Sequence, residues 1–230
     1  MVRASVVAVV LGLLLPAQEK AQEEPKYTDT FTVDAADWTN TGRNDYWVLE
    51  PGFVLEYAGK EGKTETKLTI TVLDETKKVD GVECRIIEEK EWEDGELIEI
   101  SRNYFAMSKK NNSVYYFGED VDMYKNGKVT GHGGSWLSGE KKAHFGMMMP
   151  GTPLIGARFY QEVAPEVAMD RAEILSLSET VETPAGKFEK CMKTLETTPI
   201  EKDKMNKFYA PGVGLLVDGA NRLVKYGKNK

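Results

Sequence analysis

The sequence predicts an all-β domain, a single antiparallel meander curled into an open or partly closed, strongly curved β-barrel. Three observations lead there. Tight-turn pairs (Asp80-Gly81, Asp94-Gly95, Asn126-Gly127 and Asp218-Gly219) separate runs rich in β-branched and aromatic residues. Asp-Gly and Asn-Gly accept the positive φ that two-residue hairpins demand, and strands joined so closely are antiparallel neighbours. Leu68, Ile70 and Val72 alternate with Thr69 and Thr71, the period of two of a half-buried strand. No long amphipathic helical period occurs, and no fixed-period repeat suggests a solenoid.

The first residues read as an address. Met1-Val2-Arg3 precedes the apolar run Ala4–Leu15, and a polar acidic stretch follows. One early positive charge, a short apolar run and small residues near its end form the pattern of a cleaved secretory signal, here 1–21. A membrane span needs roughly 20 apolar residues, and this run has about a dozen. No Cys follows it, so the expected product is a released extracytoplasmic protein, not a lipoprotein, with no integral membrane span. Residues 22–44 are expected to form a loose N-terminal arm, and 45–230 a single β domain.

Within that domain, 64–130 predicts a meander of about five strands. Residues 131–153 carry Gly131, Gly133, Gly134, Gly139, Gly146 and Gly151 with Pro150 and Pro153 and read as a long loop. Strands resume at Arg158–Val163, and Pro165–Arg171 is expected to hold one helical turn. Ala172–Val181, Lys187–Thr197, Asn206–Tyr209, Gly214–Val217 and Arg222–Tyr226 follow as strands. The formal net charge of −7, with no basic block, is unsuited to nucleic acid or to anionic lipid surfaces. Cys84 and Cys191 read either as a disulfide of an exported protein or as two buried thiols.

Several constellations are candidates for chemistry. His132, His144 and Met147 fall in the glycine-rich stretch, and imidazole with thioether suits copper. A Met triplet is equally served by packing. Ser135 near His132 invites a hydrolase reading of the 131–149 loop, yet Leu137 stands where a nucleophile elbow needs its second Gly. Glu119, Asp120 and Asp122, and separately Glu162, Glu166 and Asp170, place carboxylates together as calcium requires, without the spacing of a dedicated loop. No cofactor is expected otherwise. Aromatics recur on successive strands, so Tyr104, Tyr116, Tyr124, Trp136, Phe145, Met148 and Tyr160 are the candidate lining of a site for a small apolar ligand. Aromatics also fill strand cores without any ligand.

Asp80-Gly81-Val82-Glu83-Cys84, Trp92…Asp94-Gly95-Glu96-Leu97 and Val114-Tyr115-Tyr116-Phe117-Gly118-Glu119-Asp120 occur with Thr183-Pro184-Ala185-Gly186-Lys187-Phe188 and Phe208-Tyr209-Ala210-Pro211-Gly212-Val213-Gly214-Leu215. On these motifs the chain resembles a group of uncharacterised secreted β-rich bacterial proteins, over about residues 45 to 217. The resemblance implies an extracytoplasmic compartment and an all-β fold similar to the half-barrels of periplasmic lipid carriers. It transfers no catalytic residue. The expectation is a non-catalytic binding protein for a small apolar ligand or an envelope protein partner.

Overall fold

A computed structural model describes residues 25–202 and 204–228, so the expected signal at 1–21 lies outside the described residues. A 3-10 turn at Ala35–Asp37 leads into three short strands, β1 (Trp38–Thr39), β2 (Arg43–Asn44) and β3 (Trp47–Val48). The long meander follows: β4 (Phe53–Glu61), β5 (Thr64–Val79), β6 (Val82–Glu93), β7 (Glu96–Ser108) and β8 (Val114–Lys125). Short strands fill the glycine-rich middle: β9 (Lys128–Gly131), β10 (Trp136–Leu137), β11 (His144–Met149), β12 (Arg158–Tyr160) and β13 (Glu162–Val163). The chain ends with β14 (Arg171–Thr183), β15 (Gly186–Thr197), β16 (Lys204–Ala210), β17 (Gly214–Asp218) and β18 (Asn221–Lys228).

Thirteen of these strands form one antiparallel sheet in the order β12-β14-β15-β16-β17-β18-β4-β5-β6-β7-β8-β11-β13, nearly closed into a barrel. The hairpins turn where the sequence places them. Asp80, Asp94 and Asn126 sit at φ 50°, 47° and 52°, each followed by a positive-φ Gly. The β18–β4 ladder joins the two halves of the chain, pairing Arg222 with Ala58 and Lys228 with Phe53. The two borders of the sheet are β12 and β13, and Gln161 alone separates them in sequence. One seam is left unsealed there.

Glycine at two positions decides how the barrel is shaped. Asn103 on β7 lies opposite Glu119, whereas Phe105 lies opposite Tyr116, so β8 carries a bulge between these pairs. Gly118 in that bulge has φ +129°, and a Cβ on it would stand 2.3 Å from the Trp136 carbonyl oxygen. The extra residue rephases the strand, so Tyr116 and Glu119 both face the interior. Gly118→Ala is expected to cost about 2–3 kcal/mol, read as a lower urea midpoint with an unchanged slope. Gly146 on β11 allows a similar approach. A Cβ there would lie 2.3 Å from the Gln161 carbonyl oxygen. That close packing is why a stretch expected to be loop holds β10 and β11 instead.

Two apolar clusters fill the structure. The larger, inside the barrel, includes the buried Leu49, Tyr57, Ile87, Phe105, Met107, Ile174, Met192 and Leu216. The smaller groups Val79, Cys84, Tyr104, Ala106, Tyr115 and Phe117, with Phe31, Val33, Trp38 and Phe145 packed against it. Trp38 meets Tyr115, Phe117 and Phe145 edge-on at 5.3, 5.3 and 5.7 Å. Residues 31–38 are therefore docked, where the sequence predicts a loose arm through residue 44. Their apolar side chains cover an aromatic face that would otherwise meet water. The Asp37 carboxylate secures the segment by accepting from the Ser108 hydroxyl at 2.6 Å and the Lys110 amide at 3.0 Å.

Cys84 and Cys191 are free, buried thiols. Cys84 belongs to the smaller cluster and Cys191 to the larger, on strands that are not neighbours, so the disulfide admitted by the sequence is not formed. Burial pushes the Cys84 thiol up to about 12. In place of a helical turn at Pro165–Arg171, a tight hairpin is closed by two reciprocal bonds across an antiparallel bridge, the Ala164 amide donating to the Ala168 carbonyl at 2.8 Å and the Ala168 amide to the Ala164 carbonyl at 2.9 Å. Among the described residues no helix is long and apolar enough to cross a membrane.

Candidate functional site

The inward alternation of the strands leaves a cavity of about 210 Å³ inside the barrel. Its composition changes along its length. On β6 the inward residues are Ile87, then Glu89, then Glu91; on β7 they are Phe105, Asn103, Ser101 and Glu99. The antiparallel register sets Ile87 opposite Asn103, Glu89 opposite Ser101 and Glu91 opposite Glu99. Both strands therefore pass from apolar to acidic in the same direction. Trp47, Phe53 and Val72 extend the apolar end, with Val213 and Leu215, while Leu55 and Ile70 stand level with Glu89 in the register. Glu119, Glu162, Asp170, Glu196 and Asp218 join the acidic end.

Lys207 on β16 is the only basic side chain lining the cavity among the described residues. Its Nζ lies 3.2 Å from Glu196 Oε2 and 3.5 Å from Asp218 Oδ2. Burial opposes its charge, but Glu196 and Asp218 outweigh that and hold the ammonium well above its ordinary pKa. Glu196 Oε1 also accepts from the Tyr209 hydroxyl at 3.1 Å and from Gln161 Nε2 at 3.3 Å. Glu162 Oε2 accepts from the Trp136 indole at 3.0 Å. The Tyr116 hydroxyl donates to Asn103 Oδ1, whose amide donates to Ser101 Oγ at 3.0 Å.

The remaining carboxyls are poorly compensated. Burial, reinforced by the charge of Glu91, raises Glu89 to about 8. Burial and Glu99 raise Glu91 to about 7, and burial and Glu99 likewise raise Glu119 to about 7. Glu162 is pushed well above its ordinary value by burial and by Glu119. Glu99 and Asp170 are raised mainly by burial. Glu89, Glu91 and Glu119 are half-buried and keep part of their surface where they border the cavity. A carboxylate removed from water without a cation favours its neutral form.

The acidic end is the open one. Asp170 borders the cavity and also two surface clefts, one with Val167, Ile200 and Glu201, the other with Glu61, Lys204 and Met205. Val167, Ile200 and Met205 are exposed and give this mouth an apolar rim.

Of the aromatic and Met lining expected from sequence, Tyr116 and Met148 border the cavity. Trp136 stands behind it, edge-on to Tyr116 at 5.5 Å. Tyr104 and Phe145 lie in or against the smaller cluster instead. On β7 the inward residues are Asn103 and Phe105, so the pleat turns Tyr104 outward, where its hydroxyl donates to Asp120 Oδ2 at 2.5 Å. Tyr124 is half-buried near the end of β8, outside the cavity wall. Tyr160 sits by the seam, edge-on to Tyr27 at 6.0 Å.

The remaining candidates each make contacts of their own. His132 Nδ1 lies 3.0 Å from Asp122 Oδ1 and 2.9 Å from the Val121 carbonyl oxygen, with most of its side chain exposed. His144 is half-buried, and Met147 packs against both apolar clusters. Among the described residues no three His, Cys, Asp or Glu side chains gather around a point that would hold a metal ion. Ser135 Oγ accepts from the Val121 amide at 2.8 Å, and the His132 ring is engaged with Asp122 and Val121. The 131–149 segment thus shows no nucleophile–base contact.

Fold and cavity together define a nearly closed antiparallel β-barrel with a small interior chamber, apolar at one end and acidic at the other. No family model, curated protein or solved structure matches the chain.

Proposed function

We propose that this protein is a non-catalytic binding protein that takes a small, largely apolar ligand into the barrel. The observation that carries the reading is the cavity with its apolar lining of Leu55, Ile70, Val72, Ile87 and Phe105. Protein interiors are close-packed, with few voids larger than a water molecule. Its about 210 Å³ compares with the roughly 150 Å³ of an apolar cavity known to accept benzene. The ligand is therefore about one ring with a short substituent. The apolar rim of Val167, Ile200 and Met205 at the acidic mouth supports entry from that side. The leader-like pattern of residues 1–15 supports an extracytoplasmic site of action.

Toluene tests the reading. Added to the protein, it is expected to shift the methyl resonances of Ile70, Val72 and Ile87 saturably, leaving surface methyl groups unmoved. Val72→Phe, which fills the apolar end, is expected to abolish those shifts while preserving the folded spectrum. Absence of saturable shifts in the unsubstituted protein up to the solubility limit of toluene would count against the reading.

A further inference from the structure

We propose that the ligand carries a protonated amine, seated beside Glu89 and Glu119 at the acidic end, while its apolar body lies between the strands at the other end. This rests on the binding reading above and names the chemistry of the head group.

The first ground is the ordered change of polarity. The inward faces of β6 and β7 both run from apolar to acidic in one direction, so the chamber matches a molecule with one apolar and one polar end. The second is an imbalance of charge. Glu196 and Asp218 share Lys207, whereas Glu89, Glu91, Glu99, Glu119, Glu162 and Asp170 have no basic side chain within salt-bridge distance among the described residues. Across the chamber, the groups facing them are the Lys207–Glu196–Asp218 set and the hydroxyls of Tyr116 and Tyr209. Both hydroxyls already donate, to Asn103 and Glu196.

The third ground is Glu89 itself. It is half-buried and borders the chamber, and no side chain among the described residues donates to it. A carboxyl group withdrawn from much of bulk water and left without a donor favours a cationic partner. An ammonium brings three donors and a positive charge. Lys207 shows that this wall accepts such a group, since its Nζ is held between two carboxylates there. A neutral head leaves the charge uncompensated, and an anionic head worsens it. A divalent cation is the poorer match, because the carboxylates are spread along the chamber instead of converging on one point.

The pH dependence follows from the same groups. Burial and mutual repulsion keep Glu91 and Glu119 neutral below about 7 and Glu89 below about 8. Raising the pH through that range ionises them, so affinity for an amine rises while affinity for its uncharged isostere stays level. Binding of the amine at pH 7 therefore releases protons.

Benzylamine and benzyl alcohol, which share ring and shape, make the comparison, followed by methyl shifts of Ile70 and Val72 and by calorimetry. At pH 8 the amine is expected to bind at least about tenfold tighter than the alcohol, one charge-assisted contact being enough for that ratio. At pH 6 the ratio is expected to fall toward unity, and Glu89→Gln or Glu119→Gln to narrow it at pH 8. Equal affinities at pH 8, with both compounds entering, overturn the amine assignment and leave the binding reading standing. Entry of neither compound, together with no effect of toluene, overturns both. Amine binding that shifts only residues around Glu201, or that Glu89→Gln and Glu119→Gln leave unchanged, also overturns the assignment, since it marks attraction to the acidic surface alone.

Discussion

Raising the pH from 5 to 8.5 is expected to lower the melting temperature by about 10 °C, the reverse of the behaviour of proteins whose carboxylates are paired. The folded chamber holds Glu89 near 8 and Glu91 and Glu119 near 7, against an ordinary value of 4.5. Between those limits the folded chain keeps protons that the unfolded chain gives up. Stability is then greatest below about 4.5 and declines as pH rises through 7 and 8. Even one unit of displacement at each of three groups amounts to about 4 kcal/mol. Glu50 works in the opposite sense: its hydrogen bonds with Arg43 and Lys228 depress it to about 2. Its contribution is present above 4.5 and lost as pH falls toward 2, which places the optimum near pH 5. Scanning calorimetry across pH 4 to 9 measures this, and Glu89→Gln is expected to flatten the upper limb. A melting temperature that is level or rising from pH 5 to 8.5 contradicts the account.

Lys207→Met is expected to destabilise the protein by about 3 kcal/mol at pH 8, as for a buried ion pair that loses one partner. Its ammonium lies within 3.2 and 3.5 Å of Glu196 and Asp218. Without it, two carboxylates face six further carboxyl groups in the same chamber. The loss is expected to shrink at pH 5, where protonation relieves the repulsion. Adding Glu196→Gln is expected to recover part of the stability, because the amide keeps the volume and a carbonyl acceptor for Tyr209. Urea denaturation of the single and double variants gives the comparison. A Lys207→Met protein as stable as the parent at pH 8 would show that the cation is dispensable there.

The architecture was legible because it rests on local chemistry. Asp80-Gly81, Asp94-Gly95 and Asn126-Gly127 dictate their turns, and the alternation at 68–72 dictates which side faces in. The chamber was harder to read. Ile87, Glu89 and Glu91 share one parity, so the sequence does place two carboxylates on the face of a core residue. Ordinary reasoning assigns such glutamates to solvent, and only the closing of the sheet turns that face inward. The bulge at Gly118 shifted the phase of β8, bringing in Glu119 beside Tyr116 across what alternation alone would have separated. Tyr104 failed as a lining residue for the simplest reason: its neighbours Asn103 and Phe105 already occupied the inward positions. Lys207 and Asp218 gave no sign, because their meeting with Glu196 depends on three strands pairing in register.

The ladder between β4 and β18 carries a consequence for how the chain folds. It couples residues 53–58 to residues 222–228, nearly the greatest sequence separation the domain offers. The hairpins from β4 to β8 are able to form early from neighbouring residues, but β4 keeps a bare edge until the last strand arrives. Contacts of such separation slow folding, and an unpaired edge invites pairing with another chain. A chain truncated before Asn221 is thus left with an open sheet whose apolar and acidic lining faces water, and the final eight-residue strand is what turns a sticky ribbon into a container.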